Sequence, residues 1–483
     1  MNRIKGSYPW GNILSIRFKI TIDSIVTIDF IMVKETKYGG IVMIKEFLKY
    51  AVPSALAMFV SSLYTIIDGI FVGQGVGDSA LAAVNIVMPF TIMLFGIATM
   101  FAVGGGDLVS KNIGSNNKEK AVEIFRQVFK FLLILSICIS LIAVIFSKNI
   151  VKLLGATDSL IPLASTYLRY YSLFCIPNLI GIALNSFVRN DSRPKLAMIA
   201  TLSGAITNII LDYIFIFPLG LGIKGAAIAT GLGQLVTIGI LLPHFIMKKG
   251  ILTFGNVKLE KKIIKKFINI GFPSFFAEVS FSIIIFFMNL ALVNYGGETS
   301  LSAFAIINYI TTNIYMVLLG LSIGVQPLLS YNYGARRSKK MLEFYSITIK
   351  AVIIINIVFI AICCIFGKGM ISIFTSDSRI VDIAYIGLIL STFGYFMVGF
   401  NLTSTVYYQA INMPRISNIF CLSRSLILLP ISLFILSKLF GINGIWITLF
   451  VSELITFIIL RYSININAYT IKAIENVINL GDF

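Results

Sequence analysis

The sequence predicts an all-α polytopic membrane protein, with twelve transmembrane helices in two six-helix lobes that are parallel repeats around a central cleft. Three observations predict it. Of 483 residues, 57% are hydrophobic and only 12% charged, more apolar surface than a water-soluble core can use. From about Met43 onward, twelve apolar segments recur, each long enough to cross a hydrocarbon layer of ~30 Å as a helix. Landmarks then return at one offset: Pro53-Ser54 as Pro273-Ser274, Gly77-Asp78-Ser79-Ala80-Leu81 as Gly297-Glu298-Thr299-Ser300-Leu301, Ser110, Asn112 and Gly114 as Ser330, Asn332 and Gly334, and Pro194 as Pro414. Gly222-Ile223-Lys224-Gly225 returns as Gly441-Ile442-Asn443-Gly444, one residue short of that offset. A register held across these landmarks marks a duplicated unit. Six spans per unit is an even number, so both halves enter the membrane in the same direction.

The spans read, in order, 47–73, 80–107, 121–147, 161–188, 195–217, 224–247, 266–294, 301–329, 343–367, 382–411, 416–438 and 443–462. Residues 1–42 differ: Arg17, Lys19, Asp23 and Asp29 interrupt their apolar runs, so neither a span nor a signal-peptide core forms. They read as a disordered, dispensable extension or a misplaced start, with no function assigned. The N-lobe is expected over 43–247 and the C-lobe over 266–463. The basic, amphipathic linker 248–265 between them is expected to lie along the inner membrane surface. The tail 464–483, with Ile471, Ile474, Val477 and Ile478 at helical spacing, reads as a short interfacial helix.

The net charge of +18 points to nucleic acid only if its location is ignored. With the first span running outward, the outer loops hold six basic residues: Lys148, Lys152, Lys224, Lys368, Arg379 and Lys438. The inner loops hold nineteen, among them Lys111, Arg126, Arg189, Lys258, Lys261, Arg336 and Arg415. That asymmetry places both termini in the cytoplasm; the expected location is the plasma membrane, the basic face toward anionic lipid headgroups, with no nucleic-acid partner. The five cysteines all fall within apolar segments without metal-ligand spacing, as small hydrophobes do. One histidine, His244, makes no metal site or catalytic triad.

Candidate chemistry lies in polar residues inside the spans, where a charge is costly and by default functional. Asn208 and Asp212 are spaced i, i+4 on one helix face. At ~1.5 Å per residue, Asp68 lies roughly 28 Å past Lys49 and Asp212 roughly 26 Å past Lys195, while Thr230 sits just past Lys224. Asp68, Asp212 and Thr230 thus share the outer half of the first lobe, with Asn208 one turn deeper: an oxygen-rich cage for a proton or a possible Na⁺. The second lobe lacks it, because Asp68 corresponds to Met288, Asp212 to Ser432 and Thr230 to Leu449. It holds Glu278 and Arg424 instead, at similar depths that invite an ion pair or a substrate contact. Tyr407, Tyr408 and Gln409 are expected to line the same cavity. Gly220-Leu221-Gly222-Ile223-Lys224-Gly225 matches a dinucleotide-binding pattern, but it lies between membrane spans, and tight turning explains its glycines.

The stretches IIDGIFVGQGVGDSALAAVNIVMP, VSKNIGSNNKEKA, NIILDYIFIFPLGLGIKGAAIATGLGQ, GFPSFFAEVSF and GVQPLLSYNYGARRSKK resemble the multidrug and toxic compound extrusion (MATE) family of cation-coupled antiporters. The likeness covers about Met43 to Ser463 and is most like bacterial multidrug members. It implies two six-helix lobes around a cleft that opens alternately to either side. It also implies export of amphipathic, often cationic compounds in exchange for H⁺ or Na⁺, with no other cofactor. By the same resemblance Asp68, Asn208, Asp212 and Thr230 fall at the N-lobe cation site, and Glu278 at the C-lobe acidic position. Some members add an aspartate within the tenth span; none lies between Ile383 and Ile411 here, and Arg424 stands as the counter-ion instead. The expected partners are small-molecule drugs and the bilayer, with the protein a monomer. A flippase of lipid-linked oligosaccharide or cell-wall precursor is the rival, and it predicts a cationic cleft. No nucleophile–base pair or metal set within the spans supports an enzyme.

Overall fold

The computed structural model describes residues 37–480. All their regular structure is helical: α1 (Lys37–Gly75), α2 (Asp78–Gly114), α3 (Lys118–Ile145), α4 (Ser147–Leu153), α5 (Ile161–Leu173), α6 (Cys175–Asn190), α7 (Pro194–Ile216), α8 (Gly222–Ile246), α9 (Lys261–Gly334), α10 (Ser338–Ser372), α11 (Ser378–Ala410), α12 (Pro414–Ser423), a π-helical turn (Arg424–Leu428) and α13 (Leu429–Leu480). From Ile44 onward the chain packs as one unit.

Nine described helices are long and apolar enough to cross a membrane, and α5 with α6, bent by 52°, together make a tenth candidate. Two of the nine cannot cross once only. At ~1.5 Å per residue, the 74 residues of α9 would extend several times the ~30 Å of a hydrocarbon core. Gly297, at φ 62° and ψ −161°, breaks α9 in two. Gly441, at φ 58° and ψ −134°, does the same beyond α12. Counting each side of these glycines separately gives the twelve spans expected.

The duplication is written into the backbone. Left-handed residues recur at the sequence offset: Gly77 with Gly297, Asn116 with Arg336, and Ser192 with Asn412. Gly222 and Gly441 share it at the one-residue-shorter spacing. Gly220 and Gly222 of the false dinucleotide motif both have positive φ, where a side chain is strained. They are the turn between α7 and α8.

Each half has its own apolar core. In the first, Phe125 stacks on Phe245 at 5.0 Å and meets Phe187 edge-on at 5.0 Å. In the second, Trp446 packs on Phe304 at 6.0 Å within the cluster of Met288, Leu292, Ile307 and Leu388. The start of α9 crosses between them: Phe267, fully buried, lies 5.5 Å from Phe101 in the first core.

The structure sharpens three expectations. The linker is extended in its middle: residues 252–260 run without regular structure and are pinned to α3. Arg126 donates to the Thr253 and Phe254 carbonyls, Lys130 to the Val257 carbonyl, and Gln127 accepts from Glu260 N–H. Asp191 completes the strap, accepting from the backbone N–H of Ile251 and Leu252 and lying 2.8 Å from His244 Nε2. Helix α9 then opens at Lys261. Second, the tail is helical to Leu480 and continuous with the end of α13. Third, Lys111 and Arg189 are not solvated loop charges but buried, 7% exposed each. The expected extension 1–42 lies, up to residue 36, outside the described residues; residues 37–42 are the first turns of α1.

Candidate functional site

Helices α1, α7 and α8 bring together the four residues of the expected cage. Asp212 and Asn208 are 0% and 2% exposed on the inward face of α7, while Asp68 and Thr230 are half-buried. Asn208 Nδ2 donates to Thr230 Oγ1 at 3.3 Å. The carboxyls of Asp68 and Asp212 face each other closely enough to interact, and Asn208 lies against Asp212. Asp68 Oδ1, Asn208 Oδ1 and both Asp212 oxygens are buried without a hydrogen-bond donor among the described residues. Buried acceptors of this kind normally find donors, and two ionised carboxylates in contact repel strongly at low dielectric. A proton or a monovalent cation between them answers both costs.

The helices pack tightly enough to fix this arrangement. Gly204 on α7 and Gly233 on α8 meet backbone to backbone: a Cβ at Gly233 would stand 2.7 Å from the Gly204 carbonyl oxygen. Only glycine permits that approach.

Tyrosines ring the carboxyls. Tyr64, one turn before Asp68, and Tyr167 on α5 lie within electrostatic range of both acids, and Tyr171 within range of Asp68. Tyr167 and Tyr171 stack at 6.0 Å, and Asn178 on α6 donates to the Tyr171 hydroxyl at 2.7 Å. Sequence reasoning missed these residues. The i, i+4 spacing of Tyr64 to Asp68 and of Tyr167 to Tyr171 was their available signal. The bend between α5 and α6, which aims both side chains inward, had none.

The second half departs from expectation. Arg424 does not pair with Glu278. Its Nε lies 3.2 Å from Glu453 Oε1, and Asn401 Nδ2 donates to Glu453 Oε2 at 2.6 Å. Equal depth is not enough: the π turn at Arg424 and the facing position of Glu453 on α13 decide the partner. Glu278, 6% exposed, has no ion-pair partner among the described residues and lies near Tyr315.

The expected cavity lining also differs. Tyr407, Tyr408 and Gln409 are buried between helices rather than around the cavity. Tyr407 packs on Tyr345 at 5.0 Å and Tyr408 on Phe420 at 6.2 Å. Gln409 Nε2 donates to the Ile270 carbonyl and Ser274 Oγ, both at 3.0 Å. The cavity itself, about 40 Å³, is walled by Tyr315, Tyr395, Thr311, Arg424 and Glu453 among apolar neighbours.

On the face bearing the basic loops, the halves are sealed together. Lys111 Nζ donates to Asp107 Oδ2 at 2.5 Å, to the Gln409 carbonyl at 3.0 Å and to Asn412 Oδ1 at 2.9 Å. Ser330 Oγ donates to Asp107 Oδ1 at 2.6 Å. Around this bridge α2 and the end of α9 touch through glycine: a Cβ on Gly114 would overlap the Tyr331 carbonyl oxygen, and one on Gly334 the Lys111 carbonyl oxygen. These contacts are reciprocal at the repeat offset. Nearer the middle of the spans, Ser62 Oγ donates to Asn313 Oδ1 at 2.7 Å.

A family model described as MatE matches residues 53–214 and again 273–434, two stretches at the offset already seen in sequence and backbone. The chain belongs to the MatE family. Among relatives of this MatE protein, the multidrug export protein MepA of Staphylococcus saprophyticus is 27% identical over 414 residues, covering 85% of this chain and 91% of that protein. Its Staphylococcus aureus counterpart is 26% identical over 412 residues, covering 85% and 90%. A solved MATE transporter of the MOP superfamily, in an outward-facing conformation, superposes with a TM-score of 0.84 at 24% identity, covering 88% of this chain and 96% of that one. A MATE in complex with MaD3S superposes at 0.81 with 25% identity, covering 87% and 95%. Among the described residues no group of three or more His, Cys, Asp and Glu converges; the cage is two carboxyls, an amide and a hydroxyl.

Proposed function

We propose that this protein is a secondary active multidrug efflux antiporter of the plasma membrane, exchanging H⁺ or Na⁺ for amphipathic, often cationic organic compounds. The observation that carries the reading is the pair of facing carboxyls, Asp68 and Asp212, left without donors in the interior of a membrane protein. Its relatives named as multidrug export proteins support the substrate class.

In this reading the incoming ion binds between Asp68 and Asp212, with Asn208 and Thr230 supplying further oxygens. Binding cancels the repulsion that keeps α1 and α7 apart, so the helices repack and the drug site loosens on the outer side. The ion drives this only through different affinity for the two conformations. The second conformation requires the seal around Asp107 and Lys111 to open, exposing the cleft to the cytoplasm. Glu278, unpaired in the second half, draws a cationic substrate.

The test is ethidium efflux from proteoliposomes under an imposed pH or Na⁺ gradient, wild type against Asp68→Asn. Efflux driven by one gradient and lost in the variant is expected, and the effective gradient names the ion. Efflux that persists undiminished in Asp68→Asn refutes the cage, and absence of efflux under either gradient refutes the antiporter.

A further inference from the structure

The cavity of the second half occupies the place that the cage occupies in the first. Its lining includes Met288 and Leu449, the repeat counterparts of Asp68 and Thr230. Yet the second half is not simply a cage without acids. Arg424 reaches this cavity from the π turn Arg424–Leu428, an irregularity that occurs often at functional sites. Its repeat counterpart, Gly204, admits no side chain, because a Cβ there would overlap Thr237 Oγ1 and lie 2.8 Å from the Gly233 carbonyl oxygen. Where the first half packs backbone against backbone, the second inserts a guanidinium.

That guanidinium faces one carboxylate, without a hydrogen bond from its Nε among the described residues. Its Nε is 3.2 Å from Glu453 Oε1, and Asn401 fixes Glu453 through both its side chain at 2.6 Å and its carbonyl at 3.0 Å. Arg424, Glu453 and Asn401 are 7%, 1% and 1% exposed. The Tyr395 hydroxyl donates to Thr311 Oγ1 at 3.1 Å across the same wall. The remaining space, about 40 Å³, admits only a few waters. An arginine stays charged at any physiological pH, and a charge pair this deep is expensive to insert.

We infer that Arg424 is a tethered cation. It holds against Glu453 the place that the first half leaves to a mobile ion, and so closes the C-lobe cavity to coupling cations. Resting on the proposed antiport, this makes Arg424 a specificity-determining residue and leaves the protein one exchangeable ion site, in the N-lobe. Removing its charge releases Glu453, beside Asn401, as a carboxylate site for a small monovalent cation.

Sodium binding to purified full-length protein tests this, in an Asp68→Asn/Asp212→Asn background that silences the first half. Adding Arg424→Gln is expected to raise saturable sodium binding several-fold over that parent, and adding Glu453→Gln to remove the gain. A folded Arg424→Gln protein with no gain, or a gain that survives Glu453→Gln, overturns the inference. Should Arg424→Gln not fold, the parent decides alone. With Arg424 in place it is expected to bind no sodium, and binding that depends on Glu453 or Glu278 overturns the inference. Because the first-half acids are absent throughout, these outcomes are independent of whether Asp68→Asn abolishes efflux.

Discussion

The two halves of this protein share a backbone and differ in charge. At matching places in one duplicated fold, the first half holds two facing carboxyls, three of whose oxygens lack donors among the described residues, and the second holds an arginine within ion-pair distance of a glutamate, its Nε buried without a hydrogen bond. The first arrangement is incomplete without an added positive charge; the second carries its own. Duplication thus repeated the helices and their glycine turns, while the facing carboxyl pair is confined to one side.

The comparison can be broken by neutralising one acid in each half. Glu453→Gln strands Arg424 without its counter-charge and is expected to cost about 3–5 kcal/mol of stability, read as a large fall in thermal midpoint in detergent. Asp212→Asn removes a repulsion instead of an attraction, so its effect is expected to stay within about 1 kcal/mol of zero. Equal destabilisation by the two substitutions would erase the distinction between the halves.

A smaller effect is expected where the halves meet. Gly334→Val drives a branched side chain into the Lys111 carbonyl and should cost about 1–3 kcal/mol through overpacking. It should also loosen the seal, so that a cysteine placed at Ser330 reacts faster with a membrane-impermeant maleimide from the basic face than in an otherwise wild-type background. Unchanged labelling would show that the seal does not depend on this glycine. Smaller still, Asp191→Ala removes the acceptor for two strap N–H groups and the His244 contact. About 1–3 kcal/mol of local stability is at stake, and the expected readout is faster proteolysis within residues 251–260. Cleavage no faster than wild type would mean that Arg126 and Lys130 hold the strap unaided.

Much of this was legible in the sequence because a bilayer leaves few ways to satisfy a backbone. Spans followed from apolar length, the repeat from Pro53, Gly77 and Gly114 and their partners, and the grouping of Asp68, Asn208, Asp212 and Thr230 from simple depth along each helix. Depth fails where rotation decides. It put Arg424 level with Glu278 but could not foresee the π turn that points it at Glu453, nor that Gln409 faces Ile270 instead of the cavity. It also misread Lys111: a lysine at the end of a span looks like a loop charge until Asp107, four residues earlier, and Asn412, from the other half, are found around it. The tyrosines at 64, 167 and 171 gave a faint periodic signal that apolar packing explained equally well.

The central claim is that the ion acts in the first half alone. It is tested most directly by gradient-driven ethidium efflux from proteoliposomes carrying Asp212→Asn or Glu278→Gln, two near-isosteric losses of one carboxylate. The account predicts that Asp212→Asn no longer responds to either gradient, whereas Glu278→Gln still responds, with a raised KM for the cation. A gradient response that survives Asp212→Asn and vanishes in Glu278→Gln would contradict it and move the coupling site to the second half.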